Sequence, residues 1–473
     1  MTPTWGEISA GTIAAPIQGE LIAGSPETIF SGLSTDSRRI ARAELFWALE
    51  GERYDGHDFV TQAIDKGAAG AVIQKGRRPE ISTAGNPALI SVADTLKALG
   101  DLANWWRREH PIPVAAITGS VGKTTTKEMA ASILGLGAST LKNEGNLNNL
   151  IGLPLTLLLL EKVHQRAVLE MGMNRAGEIA RLTEIAEPDV GLITNVGRAH
   201  LEGLGDINAV ARAKVELVEK MPEKSHAILN GDDELLLKAA SPFQRTRTTF
   251  GLGPENQIRA EKIKSLGEEG STFDLHFFGQ TKRVRLAVPG LQNVLNALAA
   301  SAIALRLEAS PNHILEGLGA FQGIKGRFMV SHLPGGISLV DDTYNCNPAS
   351  LKAALDSTRA LVAGGGRLIV GLGEMLELGD ETNLAHLEAG TMVAEKGAYY
   401  FVVIGEHAPQ MIEGAVSKGF PKQRAIEVRN HEEMAQKIGA SMRKGDVILL
   451  KGSRKMQLEK VVEALKGEDQ DEF

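Results

Sequence analysis

An apolar run, Val114–Ile117, passes directly into Thr118–Lys127, read TGSVGKTTTK. No other stretch restricts the fold as much. A strand leaves a sheet, turns through glycines and enters a helix, which points to a mostly parallel sheet with helices on both faces. Such a turn aims successive backbone N–H groups at one point, and the helix N-terminus adds partial positive charge there, which suits a phosphate. Lys123 adds a mobile cation for the outer phosphates, and the Thr124 hydroxyl can ligate Mg²⁺. Gly119, Ser120, Val121, Gly122, Lys123, Thr124 and Thr125 are therefore the expected cradle. The strict pattern wants a glycine where Ile117 stands, so this is a shortened variant beginning at Gly119. No Asn/Thr-Lys-x-Asp guanine-reading motif occurs, which favours ATP over GTP.

A chain of 473 residues suits roughly two or three domains. The net charge of −7 gives no footprint for non-specific nucleic-acid binding, so anionic ligands need local basic pockets. The single cysteine, Cys346, rules out an intrachain disulfide and a cysteine zinc cluster. The longest apolar stretch, around Leu153–Leu160, is far short of the roughly 20 residues of a membrane span. The opening MTPTWGEISA shows no secretory signal. A cytoplasmic monomer is expected.

Three domains are expected: 1–88, 89–329 and 330–473. The first alternates short strand-like runs with turns, such as Leu45–Leu49 and Ala71–Ile73, and Asp94–His110 reads as an amphipathic helix. Strands of the second are expected at Val114–Thr118, Ala167–Met171, Val190–Asn195 and Ala227–Asn230. Helices are expected at Lys123–Ile133 and Ile207–Lys220. Residues Ile258–Val288 read as a small antiparallel element, followed by helices Gln292–Leu307 and Asn312–Leu318. The third domain repeats the α/β pattern in Rossmann style, with strands at Ser338–Asp341, Arg367–Gly371, Tyr400–Ile404 and Asp446–Leu450, and helices at Pro348–Leu361 and Glu432–Arg443. Its glycines form no dinucleotide fingerprint. The acidic tail GEDQDEF is expected to be disordered.

Further groups gather at predicted strand ends, where doubly wound sheets place ligands. Glu170 in LEMGMNRAGEI suits Mg²⁺, a hard cation that prefers oxygen, with Glu178 as the nearby alternative. His200 in TNVGRAHLEGLG follows another strand, and Lys214 lies fourteen residues on. Alone, each would more often be structural. Asn293 and Asn296 share a helix face and could bond an adenine edge or simply cap the helix. Arg327 in IKGRF sits where two domains would join. DDTYNCNP, at Asp341–Pro348, offers either polar contacts to a nucleoside or an ordinary Asx turn.

Together these motifs resemble those of the Mur ligases, ATP-dependent amino-acid ligases of peptidoglycan synthesis, in an order that spans nearly the whole chain. The resemblance implies three domains: an N-terminal UDP-sugar-binding α/β domain, a central P-loop domain and a C-terminal Rossmann-like domain. It implies Lys123, Glu170, His200 and Lys214 as catalytic residues. Two Mg²⁺ ions are implied at Thr124, Glu170, His200 and Lys214, with Lys214 carbamylated. ATP contacts are implied at Asn293, Asn296, Arg327 and Asp342, with Tyr344 and Asn345 beside them. Asp36, Ser37 and Arg38 of STDSRRI match a uridine-binding motif, and Asn146 and Asn149 of NEGNLNNLIGLP join them as substrate contacts. FWALEG, DGHDF, GEMLELG and KGSRKMQLE strengthen the likeness. The implied substrates are ATP, UDP-N-acetylmuramoyl-tripeptide and D-Ala-D-Ala, joined through an acyl phosphate. Gln292, Glu374 and Cys346 stand where the family commonly has histidine, aspartate and alanine.

Overall fold

The computed structural model describes residues 4–77, 79–80, 85–362 and 364–467. The acidic tail beyond Gly467 and the first three residues, on which two of the expectations above bear, lie outside them.

Among the described residues, three sheets follow one another along the chain. The first has six strands. Parallel pairing runs from Ile29–Ser34 through Leu45–Trp47 and Gly70–Gln74 to Ala88–Val92, and antiparallel edges are made by Thr4–Ser9 and Glu20–Ala23. It docks on the middle domain through the buried rings of Trp5 and Trp47 and the half-buried ring of Trp106, each with its indole N–H placed. Trp5 donates to the Leu158 carbonyl at 3.3 Å and Trp47 to that of Thr95 at 2.8 Å, while Trp106 packs 6.2 Å from Trp5 and donates to Leu160 at 3.0 Å.

The middle sheet has nine strands. Thr140–Lys142, Arg166–Glu170, Val114–Thr118, Val190–Ile193, His226–Asn230, Arg247–Gly251 and Ile258–Ser265 lie side by side in parallel. Ser271–Phe277 and Gln280–Leu286 extend it as the antiparallel element expected from the sequence. Ile117, Leu169 and Ile193 are wholly buried, each worth about 1.5–3 kcal/mol relative to exposure. Helices cover both faces. Asp206 caps Ile207–Lys220 by accepting from the Ala209 N–H. Gly122, in a left-handed conformation, caps Lys123–Gly135.

The third sheet runs Met329–Leu333, Ile337–Asp342, Val447–Lys451, Leu368–Leu372, Tyr400–Ile404, Ala425–Val428, all parallel except its first strand. Asn347 and Ser350 form a capping box on the helix Pro348–Leu361, with Pro348 at its first position. The expected divisions at 88 and 329 each fall on the first residue of a strand. Ala88–Val92 completes the first sheet and Met329–Leu333 opens the third. Short apolar runs carry no local mark of the sheet they will join.

Candidate active site

Val114–Thr118 lies between Arg166–Glu170 and Val190–Ile193, with Ile117 opposite Glu170 and Thr118 opposite Ile193. The loop that follows is therefore flanked by two strand ends. Gly119 and Gly122 have φ of 147° and 90°, and a Cβ at either would lie 1.8 Å from Thr194 Oγ1 or 2.3 Å from Asn296 Oδ1. Glycine is required at both positions by conformation and by space.

The loop is braced from the neighbouring strand end by residues the sequence reading passed over. Asn195 Oδ1 accepts from the Val121 N–H at 2.9 Å, and its amide donates to the Val121 carbonyl at 3.0 Å. Thr194 Oγ1 donates to the same carbonyl at 2.6 Å. Ser120 Oγ exchanges hydrogen bonds with the Gly197 backbone at 2.8 and 3.1 Å. Asp233 in turn accepts from the Val196 N–H at 2.7 Å. Side chains thus fix the loop before any ligand arrives, which lowers the cost of ordering it.

Lys123 Nζ donates to the Gly119 carbonyl at 2.7 Å. Burial pushes its ammonium down, with the Glu170 carboxylate opposing. Thr124 Oγ1 donates to Glu170 Oε2 at 2.7 Å, and Asn148 donates to Glu170 Oε1 at 2.9 Å. Asn143 works as a substitute strand: its amide accepts from the Glu170 N–H and donates to the Glu170 carbonyl, both at 2.9 Å. Buried Lys127 donates to the Asn143 carbonyl. Of the three nearby asparagines, the inward one is Asn148. Asn149 instead caps Gly152–Leu157 by accepting from the Ile151 and Gly152 N–H groups, and Asn146 is exposed. Glu178 accepts from the Asn174 and Arg175 N–H groups at its own helix end. That commitment favours Glu170 as the carboxylate of the site.

Lys214 is buried in the helix Ile207–Lys220 and has no ion pair or hydrogen bond among the described residues. Burial, then the charge of Lys123, pushes its amine well below the ordinary lysine value. His200, at φ 58°, has its Nδ1 2.7 Å from Glu377 Oε2, a close contact without hydrogen-bond alignment. Glu377 belongs to the third domain, and His200 beside it holds its carboxyl below the usual range.

Other expected nucleotide contacts divide into two groups. Asn296 backs onto Gly122 and reaches Asn293 Oδ1 at 3.4 Å, while the Asn293 amide donates to the Pro289 carbonyl at 2.8 Å. Arg327 lies 4.1 Å over the Tyr344 ring. Asp342 accepts from Lys451 Nζ at 2.5 Å and from the Phe328 N–H at 3.1 Å, and burial raises its carboxyl despite Lys451. Lys451 also donates to the Asn345 carbonyl at 2.8 Å. Burial pushes the Cys346 thiol up to about 12, which leaves it chemically inert.

Asp36, Ser37 and Arg38 form a polar turn of the first domain. Arg38 donates to both Asp36 oxygens, which holds that carboxyl at about 2. Ser37 donates to Gln62 Oε1 at 3.1 Å.

Among the described residues, no group of three His, Cys, Asp or Glu side chains gathers to enclose a metal. Mg²⁺ typically takes one or two protein oxygens and completes its shell with phosphates and water. The hydroxyl of Thr124 and the carboxylate of Glu170, side by side under the phosphate loop, are a donor set of that kind.

The chain matches the models of three domain families: "Mur ligase family, catalytic domain" over residues 29–107, "Mur ligase middle domain" over 117–304, and "Mur ligase, glutamate ligase domain" over 326–454. Over 97% of its length it is 36% identical to the UDP-N-acetylmuramoyl-tripeptide–D-alanyl-D-alanine ligase of Bacillus subtilis, 96% of which is covered. The chain belongs to the Mur ligase family. The Escherichia coli protein of the same name is 35% identical over 95% of this chain and 96% of its own. Among solved structures, MurF from Acinetobacter baumannii superposes with a TM-score of 0.87 at 33% identity, covering 98% of this chain and 100% of that one. The MurF ligase of Thermotoga maritima, solved in complex with ADP, gives 0.83 at 28% identity, covering 92% and 97%. The three-domain α/β architecture of this Mur ligase is thus the one its motifs implied. Among the described residues no helix is long and apolar enough to cross a membrane.

Proposed function

We propose that this Mur ligase is an ATP-dependent enzyme that joins D-alanyl-D-alanine to UDP-N-acetylmuramoyl-tripeptide, acting as a cytoplasmic monomer. The observation that carries the reading is the contact of Thr124 with Glu170 at the foot of the Gly119–Lys123 loop, in a chain alike to such ligases from end to end.

The tripeptide carboxylate attacks the γ-phosphorus of ATP, ADP leaves, and an acyl phosphate forms. The dipeptide amine then attacks the acyl carbon, the C–N bond forms, phosphate departs and the amine loses its proton. Backbone N–H groups of residues 119–124 hold the phosphate tail. Lys123 leaves its contact with Gly119 and turns to the outer phosphates, where its charge is worth most in the transition state. Thr124 and Glu170 would hold one Mg²⁺. His200 and Lys214 would serve a second, with Lys214 as the carbamate that its buried amine, pushed well below the ordinary lysine value, would form with CO₂. Bound Mg²⁺ offsets charge on the transferring phosphoryl group. Asn293, Asn296, Arg327, Asp342, Tyr344 and Asn345 surround the nucleoside end. Asp36, Ser37 and Arg38 take the uridine, and exposed Asn146 takes the peptide, Asn149 being held at the helix start by its own backbone contacts. Packing of the third domain onto the second excludes water from the acyl phosphate.

The test is incubation with ATP, Mg²⁺, UDP-N-acetylmuramoyl-tripeptide and D-Ala-D-Ala, with mass spectrometry of the product. A pentapeptide mass and ADP formation that needs both substrates are expected. Preference for a diamino acid or glutamate as acceptor, or ATP hydrolysis equally fast without acceptor, would overturn the assignment.

A further inference from the structure

The segment 194–202 touches the phosphate loop at one end and the third domain at the other. At its start, Thr194, Asn195 and Gly197 hold Val121 and Ser120. At its far end, Arg198 forks between two carboxylates of the third domain, Glu388 through Nη2 and Glu381 through Nη1 at 3.4 Å. The Glu202 N–H donates to the Glu377 carbonyl at 3.2 Å, and His200 lies against the Glu377 side chain.

The receiving surface is itself held rigid. The Met375 N–H donates to His386 Nε2 at 3.0 Å and the Leu376 N–H to Ser453 Oγ at 2.9 Å. Glu374 accepts from the His407 N–H at 2.9 Å. A strap fixed at both ends, between a fixed loop and a fixed receiver, transmits position. Arg198 is the member of the strap whose contact across the boundary is ionic on both arms, and its side chain is 31% exposed. It therefore holds the domains together more firmly than a fully solvated pair would.

We propose that Arg198 is a positioning residue for the ligase reaction. Through Glu381 and Glu388 it fixes the third domain against the loop that carries ATP, so that phosphoryl transfer proceeds only with the amine-binding side in place. The inference rests on the ligase reading above, and goes beyond it by naming the residue that ties the two halves of the site together.

Solution scattering on the full chain tests the geometry without reference to turnover. Arg198→Lys, Arg198→Met and Arg198→Glu form a graded series, since the last sets a negative charge against two carboxylates. The radius of gyration should rise in the order Lys, Met, Glu. With ATP and UDP-N-acetylmuramoyl-tripeptide supplied, KM for D-Ala-D-Ala should rise in the same order, by about tenfold for Met. Raising the salt concentration should expand the wild type toward Arg198→Met and leave the Met variant unchanged. A flat series in both radius and KM would overturn the proposal. So would a fall in melting temperature with unchanged radius and KM, since that marks a merely structural arginine. If the wild type made no pentapeptide while the scattering series still held, the substrate reading would fail and the docking role would stand.

Discussion

Thr124 Oγ1 and Glu170 Oε2, 46 residues apart in sequence, are joined at 2.7 Å. One residue opens a helix and the other ends a strand of the same sheet. Their meeting turns a phosphate-binding loop into a place where a hard cation and a phosphate can be held together. Whatever disturbs either partner should be felt as a change in the Mg²⁺ requirement before it is felt as a change in fold.

Asn148 is the sharpest test of that statement, because its amide donates to the other Glu170 oxygen. Asn148→Ala should weaken apparent Mg²⁺ affinity by about 10–100-fold. Asn149→Ala should instead destabilise the short helix it caps, by about 1 kcal/mol. Mg²⁺ titration of the initial rate, set beside thermal melts, separates the two. Equal Mg²⁺ affinity in Asn148→Ala and wild type would contradict the assignment.

Lys123→Ala should lower kcat by at least about 10³-fold and leave the melting temperature close to wild type, since its contact is to its own loop rather than to the core. Phosphate release measured with all substrates present decides the matter. Turnover near the wild-type rate would remove this lysine from the chemistry.

Lys214 carries a cost that the proposed carbamate role would explain. Its amine is held well below the ordinary lysine value of about 10. Between the displaced value and the ordinary one, the unfolded chain binds a proton that the folded chain does not, so folding stability rises with pH across that window. At neutral pH the residue is a burden. Lys214→Met should raise the melting temperature by a few degrees, about 2–4 °C per kcal/mol gained in a domain of this size, while abolishing ligation. A carbamate signal in ¹³C NMR under labelled CO₂, lost in Lys214→Met, would identify the modification. Absence of that signal in active wild type would exclude it.

His226 is held at about 4 by burial and by the charge of Arg306. Its nitrogen meets Thr248 Oγ1 at 2.8 Å, and Arg306 donates to the same oxygen. As pH falls from about 6.5 toward 4, the unfolded chain gains a proton that the folded chain resists, so stability drops through that window. His226→Gln should flatten this acid limb in melts between pH 7 and 4. An unchanged limb would assign the loss to other groups.

Elements marked at both ends were legible in the sequence. The helices Ile207–Lys220 and Pro348–Leu361 and the strand Val114–Thr118 have the bounds expected, because Asp206, Asn347 with Pro348, and the glycine turn signal where each begins or ends. The strands Thr140–Lys142 and Arg247–Gly251 went unseen. Three residues show no periodicity, and RTTFG is too polar to read as a buried strand. In the site, loop residues declared themselves by type, whereas their supports did not. Asn143, Asn148 and Asn195 act through contacts to residues 27, 22 and 74 positions away. Nothing in NEGNLNN distinguishes the asparagine that faces Glu170 from the one that caps a helix. Glu377 reaches His200 only because two domains meet.

Asn143 takes up the ladder where Thr140–Lys142 stops, so one amide stands in for the next residue of a strand. That substitution fixes how many residues the chain is allowed there. A single insertion between Lys142 and Asn143 would carry the amide off Glu170 and silence the enzyme. An insertion beside the turn tips Gly279 or Gly397, which face open space, should disturb the site far less. Those tips are the natural places to graft a reporter or a tether.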